Sequence, residues 1–406
     1  MQPTSQATPT TPSETPSQPS QRWGELLGVF LLFWGLFALS GALRWTPYNA
    51  HVHLANAMLH GSFALINPPQ HFEMTHVNGH AYVAYGIAPS LLMLPFVAVF
   101  GLGFHQALFS AALGAVAVAL WHDTLPRLGI FGQARYWLTA LFGAGSLFWF
   151  YSGQSGNTWA MMHVVAVLGL MIAIHETLGK QRGWLVGLGF GLAVLSRQPV
   201  LLSLPFFAGM MLRDDRQTGG KSFWHKGLTF SVALGALLAF NAFYNAARFG
   251  TPFDNAYKRV IYDTTPPEYL RWGIFHLNYF AQEFHGYFLK LPQRLPTFPW
   301  FDPTMDGFSI FLSLPALVFA LKADYRKRLE LLALAACLGI LAMYLFYYWS
   351  GYAQFGRRYS VDFLPFCMLL IASGTKGRLT PLLVAVTLAG ALVQLWGLFW
   401  WGLKGW

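Results

Sequence analysis

The sequence contains few charged residues. Only 10% of its 406 residues are Asp, Glu, Lys or Arg, whereas 55% are hydrophobic and 17% are aromatic. Because a soluble domain carries roughly a quarter charged residues, this composition excludes a typical soluble protein. The apolar residues form recurrent runs of roughly 17 to 22 residues, each long enough to cross about 30 Å of hydrocarbon as a helix. The sequence therefore predicts an all-α, polytopic integral membrane protein.

Cysteines and clustered basic residues are also scarce. The two cysteines, Cys337 and Cys367, both fall inside apolar runs, which argues against a disulfide framework. The formal net charge is +10, but the basic residues are scattered in short connectors between the apolar runs. Such a distribution is typical of residues that set membrane topology, and it argues against a nucleic-acid partner.

The first 21 residues differ in composition from the rest of the chain. They consist almost wholly of Pro, Ser, Thr and Gln, which cannot bury a core, so 1–21 is predicted to be a disordered cytoplasmic tail. We expect 22–406 to form a single transmembrane domain with two large outer loops, 44–104 and 248–305.

The segment 82–103 decides the predicted number of crossings. Counting every apolar run as a crossing gives twelve spans. This segment, YVAYGIAPSLLMLPFVAVFGLG, contains prolines and glycines that suit a surface or re-entrant helix packed on protein. We therefore predict about 11 transmembrane helices, with surface helices in the first outer loop.

The distribution of Lys and Arg orients the chain. With the amino terminus in the cytoplasm, fifteen basic residues lie in cytoplasmic connectors and five lie in short outer connectors. Because positive residues concentrate on the cytoplasmic side, this split predicts that both large loops face outward.

Arginines recur in the predicted outer connectors. The stretch 351–366, GYAQFGRRYSVDFLPF, places Arg357 and Arg358 between two apolar runs, and the stretch SRQP presents Arg197. Arg binds phosphate through two parallel hydrogen bonds, so arginines at the mouth of an apolar bundle indicate an amphiphile with an anionic head. In the alternative interpretation, Arg357 and Arg358 are interfacial anchors, and Arg358 pairs with Asp362 one turn along.

Several stretches resemble a known family. The first outer loop contains YNAHVHLANAMLHGSFALINPPQHFEMTHVNGHAYVAYGIAPSLLMLPFVAVFG, and further along are GLAVLSRQP and QFGRRYSVDFLPF. These stretches resemble the GT-C membrane glycosyltransferases, the superfamily of protein O-mannosyltransferases and aminoarabinose transferases. The resemblance covers residues 24 to about 400, and its motifs are mostly apolar.

This resemblance implies a GT-C fold and the transfer of a sugar from a polyprenyl-phosphate donor to an acceptor outside the cytoplasm. In that family the general base is usually an Asp early in the first outer loop, just after the first span. The corresponding residues here, 44–53, contain no acid. A catalytic protein of this kind would therefore need a base at another position.

An inverting transfer needs a base for the acceptor hydroxyl and stabilisation of the departing phosphate. Glu73 is the only acid in 44–81 and is one candidate base; His51 and His53 are the others. The outer loops contain no Asp-x-Asp pair, and His51 and His53 would diverge on a helix, so we predict a metal-independent reaction without a cofactor. The predicted substrate-binding residues are Asn49, Asn157, Arg197, Asp254, Tyr257, Arg357 and Arg358.

Two other functions remain open. A non-catalytic GT-C-like scaffold or accessory subunit would keep a lipid groove without the base, which agrees with the missing early Asp. A secondary transporter would need ionisable residues in the middle of its spans, whereas the acids here lie mostly in loops. The predicted partners are a polyprenyl-phosphate sugar donor, membrane lipid and further membrane proteins, in a bacterial inner membrane.

Overall fold

The computed structural model describes residues 19–154, 156–211, 221–351 and 353–404. Residues 1–18 of the predicted tail lie outside these ranges. The α-helices are α1 (Pro19–Phe37), α2 (Ala50–Leu59), α3 (Ala88–Phe100), α4 (Gln106–Thr124), α5 (Gly132–Gly143), α6 (Leu147–Gly153), α7 (Thr158–Thr177), α8 (Gly183–Ser196), α9 (Leu204–Met211), α10 (Lys221–Phe249), α11 (Tyr257–Thr264), α12 (Phe280–Phe284), α13 (Ile310–Ser313), α14 (Arg328–Leu345), α15 (Leu364–Thr375) and α16 (Pro381–Lys404).

Short elements connect these helices. The π-helical turns are Ala38–Ala42 and His285–Leu289; the 3₁₀ turns are Gly101–Gly103, Leu125–Leu128, Gln198–Ser203, Pro267–Leu270, Leu277–Tyr279, Pro315–Lys322 and Arg358–Asp362. Two antiparallel hairpins are present, β1 (Met74–Val77) with β2 (His80–Val83), and β3 (Gln293–Arg294) with β4 (Phe301–Asp302). The protein is therefore an all-α membrane protein with two small hairpins.

Six helices of the described ranges are long and apolar enough to cross a membrane. They are α1 with the π-helical turn that follows it, α4, α7, α10, α14 and α16. Four shorter apolar helical segments accompany them: Ala88–Gly103, Gly183–Ser196, Gln198–Met211 and Leu364–Thr375.

The segment 82–103 contains no helix long enough to cross. Its helix, α3, has 13 residues and extends about 20 Å, which is well short of the hydrocarbon thickness. α3 packs against α2, while Val99 and Phe100 at its carboxyl end are exposed. The predicted surface helices of the first loop are thus α2 and α3.

Two predicted spans are broken helices. The run 136–151 is divided between α5 and α6, with non-helical backbone at Ala144 and an extended Ser146. The run 306–321 contains α13 and a 3₁₀ turn that starts at Pro315, whose ring prevents α13 from continuing. Apolar composition predicted both segments, but it did not predict these breaks.

α7 is the central helix of the bundle. It packs against α4 and α8, and most of its residues are buried. Asn157 fixes its amino end, since the side-chain Oδ1 accepts a hydrogen bond of 2.8 Å from the backbone N–H of Ala160. The first loop is attached to this end of α7, since the Thr158 hydroxyl donates to the Tyr48 carbonyl and accepts from the backbone N–H of Ala50.

Candidate active site

A cavity of about 1150 Å³ lies beside the amino end of α7. Its lining comes from the π-helical turn after α1 and the stretch that follows, from the residues Glu73 and Tyr85 beside the first-loop hairpin, from α7, α11 and the end of α16, and from 347–349, 353 and 358–359. Apolar side chains, among them Leu39, Phe150, Val260 and Leu398, form part of the wall. The volume lies slightly above the usual range of about 300–1,000 Å³ for small-molecule and cofactor sites.

Glu73 lies at this cavity because of the β1–β2 hairpin. The two-residue turn at Asn78 and Gly79 has positive φ at both positions, as a tight hairpin requires, and it pairs Met74 with Val83. This register brings Glu73, one residue before β1, close to Tyr85, which follows β2.

The Glu73 carboxylate is held on one oxygen and free on the other. Its Oε2 accepts hydrogen bonds from the Tyr85 hydroxyl and, at 3.1 Å, from Trp159 Nε1. Its Oε1 accepts no hydrogen bond from the described part of the chain. Burial raises the pKa of Glu73, while the Trp159 hydrogen bond and the positive charge of Arg358 act in the opposite direction. Glu73 is therefore an oriented carboxylate with a proton affinity above the ordinary value.

Arg358 lines the cavity and makes no ion pair with any carboxylate of the described residues. Its backbone N–H donates to Gln354 Oε1 at 3.1 Å, and its guanidinium lies 5.2 Å from the centre of the Tyr359 ring. The neighbouring Gly351 has a φ of 103°, and an added Cβ there would lie 2.9 Å from Arg358 Nε. This guanidinium is a positive charge available to an anion in the cavity.

Arg197 is instead neutralised by Asp362. α8 ends at Ser196, because Pro199 has no backbone N–H and its ring would clash with the carbonyl of Leu195 in a continued α-helix. Arg197 Nε then lies 3.0 Å from an Asp362 carboxylate oxygen. Arg197 Nη2 also donates to the Tyr344 hydroxyl at 2.9 Å.

Asp362 is the centre of a buried network. It is fully buried and accepts hydrogen bonds from Arg197, from the Tyr344 hydroxyl and, at 2.6 Å, from His163 Nδ1. The pairing with Arg358 that belonged to the alternative interpretation is not observed, because the 3₁₀ turn Arg358–Asp362 directs Asp362 toward α7 and the end of α8. His163 in turn lines the cavity.

Aromatic side chains form a further wall. Tyr269 and Trp349 pack edge to face with their ring centres 4.8 Å apart, and the Tyr257 and Tyr347 hydroxyls are 3.1 Å apart. All four line the cavity. The aromatic-rich stretch 276–303 does not line the cavity.

The structure brings half of the predicted site residues to the cavity. The predicted residues in its lining are Glu73, Asn157, Arg197, Tyr257 and Arg358. The predicted residues outside its lining are Asn49, His51, His53, Asp254 and Arg357.

His51 and His53 lie on α2 and not at the cavity. His51 is fully buried, and its ring nitrogens contact Ser90 Oγ and the Thr158 carbonyl, each at 3.2 Å. Burial lowers the pKa of His51 to about 4, and burial together with the charge of His71 lowers the pKa of His53. In this structure both rings act as packing groups of the first loop.

The other three predicted residues that do not line the cavity lie elsewhere in the structure, and two of them form ion pairs. Asn49 precedes α2 without a side-chain capping hydrogen bond. Asp254 forms an ion pair of 2.6 Å with the partly exposed Arg259. Arg357 is buried and forms an ion pair of 3.0 Å with Glu283 in the second outer loop.

Sequence reasoning did not select His163, Asp362, Tyr85 or Trp159 as site residues. A signal was present for His163, which stands inside the apolar stretch TWAMMHVVAVLGL. An ionisable residue within a membrane-spanning segment is a functional-site hypothesis by default. Tyr85 and Trp159 carried no local signal, since their contacts with Glu73 join distant parts of the chain.

Comparison with known proteins identifies the fold. The crystal structure of ArnT from Cupriavidus metallidurans bound to undecaprenyl phosphate matches 92% of this chain with a TM-score of 0.53 and 14% sequence identity. The apo oligosaccharyltransferase of Archaeoglobus fulgidus matches 94% with a TM-score of 0.49 and 13% identity. This chain covers 63% of the ArnT chain and 55% of the oligosaccharyltransferase chain. No protein-family model and no curated protein matches the sequence. The chain thus has a divergent GT-C-like fold.

Proposed function

We propose that this protein transfers a sugar from a polyprenyl-phosphate-linked donor to an acceptor hydroxyl, with inversion and without a metal. The observation that carries the proposal is that one cavity contains both an oriented carboxylate, Glu73, and an arginine, Arg358. This arginine forms no ion pair with a carboxylate of the described residues. An inverting glycosyl transfer needs these two groups, a base and a phosphate-binding cation.

Each group has a defined part in the step. The acceptor oxygen attacks the anomeric carbon, and its proton passes to Oε1 of Glu73. The bond between the anomeric carbon and the phosphate oxygen breaks, and its electron pair stays on the phosphate oxygen. Arg358 stabilises the second negative charge that the departing polyprenyl phosphate acquires.

The remaining lining suits the rest of such a donor. Leu39, Leu398 and Trp401 provide apolar surface for the beginning of a prenyl chain, and Tyr269 and Trp349 provide ring surfaces for a sugar. The positive-residue distribution supports an orientation with this cavity on the outer side of a bacterial inner membrane.

A non-catalytic lipid-binding relative is the second candidate. The observation in its favour is that 44–53 contains no acid, and that Arg44 of this stretch lines the cavity. A protein of this kind would bind the lipid phosphate at Arg358 without transferring a sugar.

The experiment compares binding with turnover in purified protein. Undecaprenyl phosphate and undecaprenyl-phosphate hexoses are titrated into the protein in detergent, and release of undecaprenyl phosphate is followed with envelope glycans, lipids and peptides as acceptors. Binding with turnover is expected. Binding without turnover supports the lipid-binding relative, and an absence of binding overturns both functions.

The proposed base predicts the pH dependence of the reaction. Since Glu73 must be ionised to accept a proton, kcat/KM should fall as the pH falls through its pKa. Burial raises this pKa, so the midpoint should lie above the ordinary value of about 4.3. Removing the positive charge in Arg358→Met should move the midpoint to a higher pH, because that charge favours ionised Glu73. An acid limb that does not respond to Arg358→Met would assign the titration to another group.

A further inference from the structure

His163 is a polar side chain at the cavity that the proposed reaction does not use. It lies in α7, is 1% exposed, and belongs to the cavity lining. Its Nδ1 contacts Asp362 at 2.6 Å, and its Nε2 makes no hydrogen bond with the described residues. Nδ1 thus has a partner in the protein, and Nε2 is the ring nitrogen with unused hydrogen-bonding capacity.

The Asp362 contact determines which nitrogen carries the hydrogen. Asp362 is ion-paired with Arg197, so its carboxylate only accepts hydrogen bonds, and His163 Nδ1 must donate. A neutral ring adds no further positive charge to a cavity that Arg44 and Arg358 already line. In that ring Nε2 carries the lone pair and is a hydrogen-bond acceptor.

The acceptor character of His163 Nε2 and the charges of the cavity limit which chemical group of a ligand can bind there. The oxygens of a phosphodiester are themselves acceptors, so His163 Nε2 does not stabilise the phosphate that Arg358 would bind. An ammonium group is disfavoured by the positive charges of Arg44 and Arg358, which also line the cavity. A hydroxyl group satisfies both conditions, since it is neutral and donates one hydrogen bond. In a sugar phosphate, the hydroxyl groups nearest the phosphate belong to the sugar.

We propose that His163, oriented by Asp362, binds a hydroxyl group of the donor sugar through Nε2. This inference rests on the proposed function and adds a sugar-recognising residue to it. Asp362 is then a positioning residue, which fixes the ring without touching the substrate.

Two substitutions of His163 separate a direct contact from a structural role. Asn places its amide near the position of Nδ1, so His163→Asn keeps a donor to Asp362 and removes the group at Nε2. Gln extends further, so His163→Gln restores an acceptor near Nε2 and disturbs the Asp362 contact. His60→Asn, at an exposed position of the first loop, is the matched control.

The measurement is the affinity of each variant for undecaprenyl phosphate and for undecaprenyl phosphates of glucose, mannose and galactose. His163→Asn should weaken at least one sugar-bearing lipid by roughly tenfold, as expected for one lost hydrogen bond in a closed site, and change undecaprenyl phosphate less than about twofold. His163→Gln should weaken that lipid less than His163→Asn does.

Three results would overturn the inference alone: no weakening of any sugar-bearing lipid by His163→Asn, equal weakening of all four lipids by that variant, or a larger loss in His163→Gln than in His163→Asn. The proposed function fails separately, when wild type does not bind undecaprenyl phosphate or when Arg358→Met leaves that affinity unchanged.

Discussion

Replacing Glu73 with Gln is expected to reduce kcat by about 10²- to 10⁴-fold, the usual contribution of a general base. Gln has nearly the same shape and keeps a carbonyl oxygen for the hydrogen bonds from Tyr85 and Trp159. It cannot take the acceptor proton at Oε1. The affinity for undecaprenyl phosphate should therefore remain within about threefold of wild type, because Arg358 is untouched.

The control for this substitution is Glu268→Gln, which removes a carboxylate from an exposed position of the second outer loop outside the cavity. Its kcat should equal that of wild type. A Glu73→Gln protein that still turns over at the wild-type rate would exclude Glu73 as the base. A Glu73→Gln protein that loses lipid affinity in parallel with kcat would instead indicate a binding role.

The adjacent arginines Arg357 and Arg358 should respond differently to the same substitution. Arg358→Met is expected to weaken undecaprenyl phosphate binding about 10- to 100-fold. Stability should change little, since the guanidinium has no carboxylate partner among the described residues to leave unpaired and gives up only its contact with the neighbouring Tyr359. Arg357→Met is expected to reduce the free energy of unfolding by about 3–5 kcal/mol, because it leaves the buried Glu283 without its partner.

The environment of the Arg357–Glu283 pair supports this expectation. Gly286 leaves room for the Arg357 guanidinium, and a Cβ at that position would collide with it. Burial raises the pKa of Glu283 to about 7 even with Arg357 beside it, so the pair is expensive to desolvate. The pair joins the second outer loop to the segment that carries Arg358.

A double substitution tests the origin of the stability loss. Arg357→Met combined with Glu283→Leu removes both charges, and most of the lost stability should return. The measurements are thermal unfolding in detergent and lipid titration for all variants. If Arg357→Met is as stable as wild type and loses lipid affinity, the phosphate contact belongs to Arg357 as well.

Sequence periodicity and residue type predicted the parts of the site that local chemistry determines. The apolar runs predicted membrane helices because spanning the hydrocarbon layer requires about 20 apolar residues with every backbone hydrogen bond satisfied within the helix. Glu73 could be predicted as a site residue because it is the only acid of 44–81. Arg197 could be predicted because it follows an apolar run and directly precedes Gln-Pro. These signals lie within a few residues of the chain.

The different roles of the adjacent arginines Arg357 and Arg358 could not be predicted from the sequence. Arg357 and Arg358 are equivalent in the sequence, yet Arg357 has extended backbone and reaches Glu283, while Arg358 begins a 3₁₀ turn and faces the cavity. Arg357 finds its partner, Glu283, in a distant part of the chain, whereas the contacts of Arg358 are with the nearby Gln354 and Tyr359. The same holds for the histidines, since His51 is packed within the first loop and His163 faces the cavity.

The sequence by itself determined that this protein is an all-α membrane protein with arginines and a single first-loop carboxylate at its polar connectors. Only the tertiary structure decided that Glu73 is held by Tyr85 and Trp159, and that Asp362 pairs with His163 and Arg197. The two residues of the His163–Asp362 contact are 199 positions apart in the chain, and those of the Glu73–Trp159 contact are 86 apart. Contacts of this range depend on how whole helices pack, because side-chain direction and burial are set by the neighbouring elements and not by the adjacent residues.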